Sequence, residues 1–273
     1  DWCDIIYFSC LDVSEDNKLL AFGVDTVSRR QYVIRIKNLE TGEIYKDLIQ
    51  DTQGDPSWAN DNKSIFYTSK NAVTLLSEKI MRHQLGSDAA DVTVYEEKDK
   101  TNYIGVGKSK NNKFIFIYSQ ATLSTEVRFI DASKPSDSFK LFAARMKDVL
   151  YDVTVLDNKF LIRTNKDNAT NFKLMECPLD NTESANWKEV IPNRPDVLLA
   201  GVDEFKNFIA IRKRKNGLTQ LTIENLSTNE KHSLDFGEPT YTASIGSNSE
   251  YNSDTLRYNY SSLTTPNSVY DYS

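Results

Sequence analysis

The 273-residue chain has only two histidines, His83 and His232. General-base chemistry by an imidazole therefore has two places to sit. Neither has a marked nucleophile beside it in sequence. A serine hydrolase of the α/β type needs its serine on a strand-to-helix elbow, flanked by glycines that permit the sharp turn. No Gly-x-Ser-x-Gly occurs, and Ser247 in the stretch 245–249 lacks the paired glycines and precedes no helical pattern. Acidic side chains gather at Asp51 and Asp55 and again at Glu96, Glu97 and Asp99. Their spacing is not that of a calcium loop. Cys3, Cys10 and Cys177 form no C-x-x-C pair and are too few and scattered for a disulfide framework. The expectation is a chain with no catalytic residues, no metal and no cofactor of its own. Its histidines are read as structural or surface residues and its acidic runs as solvated loops.

Composition narrows the partners. The net charge is -6, with 39 acidic against 33 basic side chains. A polyanionic partner needs clustered Lys and Arg to displace counterions, so nucleic acid is disfavoured. The one basic run, 212–215, is followed by Asn216 and Gly217 and reads as a strand end entering a hairpin turn. The longest apolar run, 114–118, is far short of the roughly 18 residues that span a bilayer and reads as a buried strand. Sparse cysteine favours a reducing compartment, so a cytoplasmic location is expected.

Internal repeats show what would position any site. A polar turn followed by an apolar or alternating strand recurs at 14–22, 59–67 and 109–117, each with an Asn-Lys pair in the turn. Weaker copies lie at 156–162, 204–211 and 252–258. The turn markers Asn17, Asn62, Asn112, Asn158, Asn207 and Asp254 are 45, 50, 46, 49 and 47 residues apart. A second polar turn recurs later in several repeats, at 35–43, 81–88, 130–137 and 222–230. The segments between turns are rich in Val, Ile, Phe, Tyr and Thr and alternate at period two, which excludes a helical repeat. The period, about one four-stranded blade, predicts an all-β chain and a β-propeller of about six visible blades. A β-sandwich would supply short strands but no reason for six similar units. Trp58 and Trp187 are expected in blade cores.

With the repeats laid out, the sequence resembles the propeller domain of the prolyl oligopeptidase family, on its oligopeptidase B (protease II) branch. The resembling stretches run along the whole chain: 28–32 (Ser-Arg-Arg-Gln-Tyr), 35–43, 58–61, 73–76, 82–86 (Arg-His-Gln-Leu-Gly), 95–99, 125–128, 164–165, 171–172, 212–218 and 256–266. The resemblance implies a non-catalytic propeller domain over residues 1–273, seven blades in the intact domain, and a serine-type α/β-hydrolase partner domain in the same polypeptide. It implies that the first blade lies upstream, because the match starts at the family's second. It places the Ser, Asp and His triad beyond Ser273. The parent would be an endopeptidase that cleaves short peptides after Lys or Arg, with the propeller covering the active site and excluding folded proteins. Arg29 and Arg30 match a family motif whose arginine forms interdomain salt bridges and are the candidate gating residues. Asp4, Asp51 and Asp55 are candidate acidic groups on the substrate side. A six-blade chain standing alone is expected to self-associate or be marginally stable, because two blade faces lack neighbours. The competing reading is a free-standing propeller that serves as a protein-interaction scaffold.

Overall fold

In the computed structural model, which describes residues 7–273, all strand pairing is antiparallel, and within each blade the strands pair in sequence order. The described residues contain no α-helix, only a 3₁₀ turn at Ser184–Asn186. The chain divides into two compact units, Asp1–Met146 and Lys147–Ser273.

The first unit holds three blades. Blade 1 is β1 (Tyr7–Val13), β2 (Leu19–Asp25), β3 (Tyr32–Asn38) and β4 (Ile44–Thr52). Blade 2 is β5 (Ser57–Trp58), β6 (Ser64–Lys70), β7 (Ser77–Gln84) and β8 (Val92–Glu96). A single bridge, Thr52 to Ser69, joins these two blades into one sheet. Blade 3 is β9 (Tyr103–Lys108), β10 (Phe114–Gln120), β11 (Thr125–Asp131) and β12 (Lys140–Ala143). The second unit holds blade 4, from β13 (Tyr151–Val155), β14 (Lys159–Thr164), β15 (Lys173–Pro178) and β16 (Lys188–Ile191). Blade 5 follows with β17 (Leu198–Glu204), β18 (Phe208–Lys215), β19 (Leu218–Asn225) and β20 (Lys231–Ser233). The last sheet has three strands, β21 (Tyr241–Ile245), β22 (Leu256–Ser262) and β23 (Ser268–Tyr272). The repeat markers thus fall at the turn between the first two strands of each of six blades.

The apolar runs after those turns follow from stacking. Successive side chains on a strand point to opposite faces. In β6, Ile65 and Tyr67 pack with Leu19, Ala21, Ile34 and Ile36 of blade 1, while Phe66 between them packs with Ile115 and Ile130 of blade 3. A strand covered on both faces can spare no polar position, hence a continuous run instead of alternation. The second unit repeats this. In β18, Ile209 and Ile211 join Leu156, Leu161 and Leu174 of blade 4, and Ala210 joins Leu256 of the last sheet.

The turns explain why Asn marks the repeat. Asn17, Asn62 and Asn112 take φ of 60°, 56° and 58°, the left-handed region that Asn tolerates better than most residues. The Ser14 and Ser109 hydroxyls accept the Leu19 and Phe114 amides, and Asp61 accepts the amides of Lys63 and Ser64. Asn158, Asn207 and Asp254 lack the positive φ, which is why their copies read as weaker. These turns also stitch blades together. Asn62 accepts the Asp16 amide at 3.1 Å, and Lys108 reaches Glu15 at 3.3 Å and Asn60 at 3.0 Å. In the second marker, Asn38 and Asn225 each accept two amides of their own turn. The basic run leads into a two-residue turn with Asn216 at φ 51° and Gly217 at φ 83°, the geometry an Asn-Gly hairpin favours.

Trp58 and Trp187 both lie in blade cores. Trp58 is fully buried, its amide donating to Asp12 Oδ2 at 2.7 Å and its indole to the Asp12 carbonyl. Trp187 donates to the Thr182 carbonyl and meets Tyr151 edge to face. No helix among the described residues is long and apolar enough to cross a membrane.

Phe66 is the side chain on β6 that faces blade 3, so Phe66→Ala should cost about 3–5 kcal/mol. Val73→Ala, at an exposed loop tip, should stay within about 0.5 kcal/mol. Chemical denaturation of the two variants checks the contrast.

Candidate functional site

In a four-stranded meander, the turns joining first to second and third to fourth strands lie at one end of the blade. The second-to-third turns and the links between blades lie at the other. Arg29 and Arg30 occupy the β2–β3 connection and therefore this second end.

That connection is built on a buried acid. Asp25, last residue of β2, is 1% exposed. Its Oδ1 accepts the Val27 amide at 2.9 Å and its Oδ2 the Arg30 amide at 2.7 Å. Ser28 and Arg30 sit at φ of 58° and 57°, a conformation that costs a non-glycine residue roughly 1–3 kcal/mol. Lys70, at the end of β6, donates to the Arg30 carbonyl at 3.0 Å. Burial and then the Arg30 charge hold the Lys70 amine below its ordinary pKa. The Arg29 and Arg30 guanidinium groups make no hydrogen bond or ion pair with the described residues.

The link from β4 to β5 separates the two acids that the sequence brackets together. Asp51 is exposed at φ 52°. Beyond it the Thr52 hydroxyl ties the Tyr32 carbonyl to the Gly54 amide. Gly54 takes φ 79°, and a side chain on it would collide with Tyr32 and Ser9, just as a side chain on Gly23 would strike the Gly54 backbone. The chain then turns Asp55 inward, where its carboxyl accepts the Thr68 amide at 3.1 Å and the Thr68 hydroxyl at 2.5 Å. Burial pushes the Asp55 carboxyl up to about 6 against the pull of those bonds. Asp4 lies outside the described residues.

At this end of the first unit a cavity of about 610 Å³ is lined by residues from all three blades. Its lining includes Arg30, Lys70, Gln53 from the β4–β5 link, Glu78, the stretch 96–100 and Tyr103, which is 80% exposed. Neither Asp51 nor Asp55 lines it. The acidic stretch is ordered by its own member Glu97. That carboxylate accepts the Ser119 hydroxyl, the Tyr95 hydroxyl at 2.9 Å and the Asp99 amide at 3.0 Å. Burial would raise its pKa, but these bonds outweigh it and hold it below the ordinary value. The recess thus offers Arg30, Lys70, Lys98 and Lys100 to an anion and Glu78, Glu96 and Asp99 to a cation. Its size is that of small-molecule and peptide sites.

The two histidines are engaged elsewhere. His83 lies between Asp91 at 2.8 Å and Asp47 at 3.0 Å, one carboxylate on each ring nitrogen. Its own blade supplies Asp91, which also accepts the Tyr67 hydroxyl, and blade 1 supplies Asp47. His232 meets the Tyr272 hydroxyl at 2.7 Å. Among the described residues no group of three or more His, Cys, Asp or Glu side chains could hold a metal ion.

Residues 4–273 match the family described as prolyl oligopeptidase, N-terminal beta-propeller domain. The chain belongs to this family. Dipeptidyl aminopeptidase BI of Pseudoxanthomonas mexicana is 39% identical over 95% of the chain, and protease 2 of Moraxella lacunata 31% identical over 94%. Among solved structures, oligopeptidase B from Leishmania major superposes on 98% of the chain with a TM-score of 0.90 at 26% identity. Oligopeptidase B from Trypanosoma brucei, in a closed form with covalently bound antipain, gives 0.88 over the same share and at the same identity. The propeller chain spans only 36% and 37% of the length of the two curated relatives and 39% of each structure.

Sequence reasoning passed over three residues of the propeller's loop end: Asp25, Lys70 and Tyr103. Only Asp25 carried a signal, an acid ending an apolar strand just before the turn that holds Arg29 and Arg30.

Protonation of Asp55 favours the folded propeller, because its folded pKa lies above its unfolded one. That contribution is complete below about pH 4 and is lost as pH rises through about 6. Asp55→Asn mimics the protonated acid. The difference in unfolding free energy between wild type and this variant should therefore move against wild type between about pH 4 and pH 7, in urea titrations across that range.

Proposed function

We propose that this propeller is the non-catalytic cap of a serine endopeptidase of the oligopeptidase B type. It covers an active site carried by an α/β-hydrolase domain of the same polypeptide and limits access to short peptides, which the enzyme cuts after Lys or Arg. The observation that carries this reading is the match along 4–273 to a peptidase propeller in relatives more than twice as long. The mixed-charge recess supports it, since a basic oligopeptide brings both cationic side chains and a terminal carboxylate. Arg29 and Arg30 act in this reading as contacts to the hydrolase domain. Asp51, exposed at the same end, remains a candidate acidic group toward substrate, whereas Asp55 contributes by holding the link in place.

A second reading has its own support. The relative at 39% identity is named a dipeptidyl aminopeptidase, so the parent would release dipeptides from free N-termini. Kinetics of the full-length protein on an Arg-Arg anilide, with its amino terminus either blocked or free, separate the two. The endopeptidase reading expects the blocked substrate to be cut at a rate comparable to the free one. Cleavage confined to the free amine would establish the exopeptidase instead. Residues 1–273 alone should cut neither, and turnover by that purified segment would refute a non-catalytic role.

A further inference from the structure

We infer that His83, held between Asp47 of blade 1 and Asp91 of its own blade, is a proton-operated clasp. It fastens the outer strand of blade 1 to blade 2 while the ring carries both of its protons, and releases that strand when one proton leaves.

The geometry sets the proton count. His83 Nδ1 lies 2.8 Å from Asp91 Oδ1, and Nε2 lies 3.0 Å from Asp47 Oδ1. An ionised carboxylate only accepts and a neutral imidazole has one N–H, so satisfying both acids takes the doubly protonated ring. The other neighbours of these acids are donors too. Asp47 Oδ1 also accepts the Gly86 amide at 2.6 Å, and Asp91 Oδ2 accepts the Tyr67 hydroxyl at 2.7 Å. Burial would raise the Asp47 carboxyl, but the Gly86 and His83 bonds outweigh it and hold it below its ordinary pKa, hence ionised. Burial and then Asp91 push the Tyr67 hydroxyl far above its ordinary value, so it keeps its proton and donates. The proton free to leave is therefore on the ring.

A neutral ring keeps its N–H for the nearer Asp91 and turns a lone pair on Asp47. The His83 and Asp47 side chains are 9% and 4% exposed, so little water stands ready to replace the lost bond. Backbone pairing between the two blades is a single bridge, Thr52 to Ser69, which leaves side chains to decide how firmly β4 is held. A cavity of about 470 Å³, lined by His83 with the stretches 46–50 and 87–91, gives solvent protons a route to the ring. The remaining charged groups on its wall, Lys46 and Asp88, are exposed and pair with each other at 3.3 Å.

Hydrogen exchange of the full-length protein between about pH 5.5 and pH 8.5, with times scaled to the intrinsic rate, tests the clasp, since imidazole changes charge in this range. Protection of 44–50 and 85–92 should fall roughly 10- to 100-fold as pH rises, the loss of one bond to a charged group, while 113–120 in blade 3 stays level. His83→Gln and Asp47→Asn should each make the first two segments independent of pH. Asp47→Asn keeps the shape of the acid and can turn its amide toward either form of the ring, so it carries the test if His83→Gln folds poorly. Protection in wild type that is flat or rises with pH would overturn the inference. A fall that survives in Asp47→Asn would overturn it by placing the titrating group elsewhere, and an equal fall at 113–120 would replace a local clasp with general loosening.

Discussion

Ile65, Phe66 and Tyr67 belong to two cores at once, and the propeller depends on that constraint. A four-stranded antiparallel sheet with both faces apolar cannot stand in water alone, so each blade is stable only against its neighbours. The pattern of the second strand follows: Ile-Phe-Tyr in β6, Ile-Phe-Ile in β10, Phe-Leu-Ile in β14 and Ile-Ala-Ile in β18, buried along both faces. Side-chain burial is strongest on these strands, while outer strands such as β8 and β20 are short and mostly exposed. With the inner strands so fixed, the loops at each blade end are free to vary.

The loops that vary are nevertheless ordered, and carboxylates order them. Asp25 gathers the amides of the Arg29 and Arg30 loop, Asp55 ties its link to Thr68, and Glu97 collects Ser119, Tyr95 and the Asp99 amide. In the second unit Glu238 accepts hydroxyls from Tyr260, Ser262, Thr264 and Thr265, which fixes the Leu-Thr-Thr-Pro turn and leaves Leu263 94% exposed at its tip. Those four bonds hold the Glu238 carboxyl below its ordinary pKa. Backbone amides and hydroxyls at loop ends need acceptors, and an acid at a strand end supplies two oxygens at once. The outcome is a set of rigid loops whose remaining charged side chains face outward.

Much of this was legible in the sequence. The blade period was visible because Asn at positive φ and a doubly buried strand leave a joint signature, and it weakened where Asn158 and Asn207 no longer need the left-handed region. The position of Arg29 and Arg30 in a second-to-third connection followed from the same repeat. Less legible was which loops would meet. That Arg30, Gln53 and Glu97 line one cavity depends on how three blades stack, which no local pattern encodes. Asp51 and Asp55 look equivalent on paper, yet Gly54 at φ 79° sends one outward and the other toward Thr68. The acidic stretch 96–99 reads as solvated, and Glu96 and Asp99 are; Glu97 differs because Ser119, on a strand of the next blade, approaches it.

The proposed cap would turn the loop end of blades 1 to 3 toward the path of the peptide. Hydrogen exchange of the full-length protein, with and without a peptide aldehyde ending in arginine, tests it directly. Occupancy should slow exchange in the loops around 26–31, 51–55 and 97–102 and leave the turns around 14–18, 59–63 and 109–113 unchanged. Protection confined to those Asn-Lys turns, or none at either end of the blades, would contradict it.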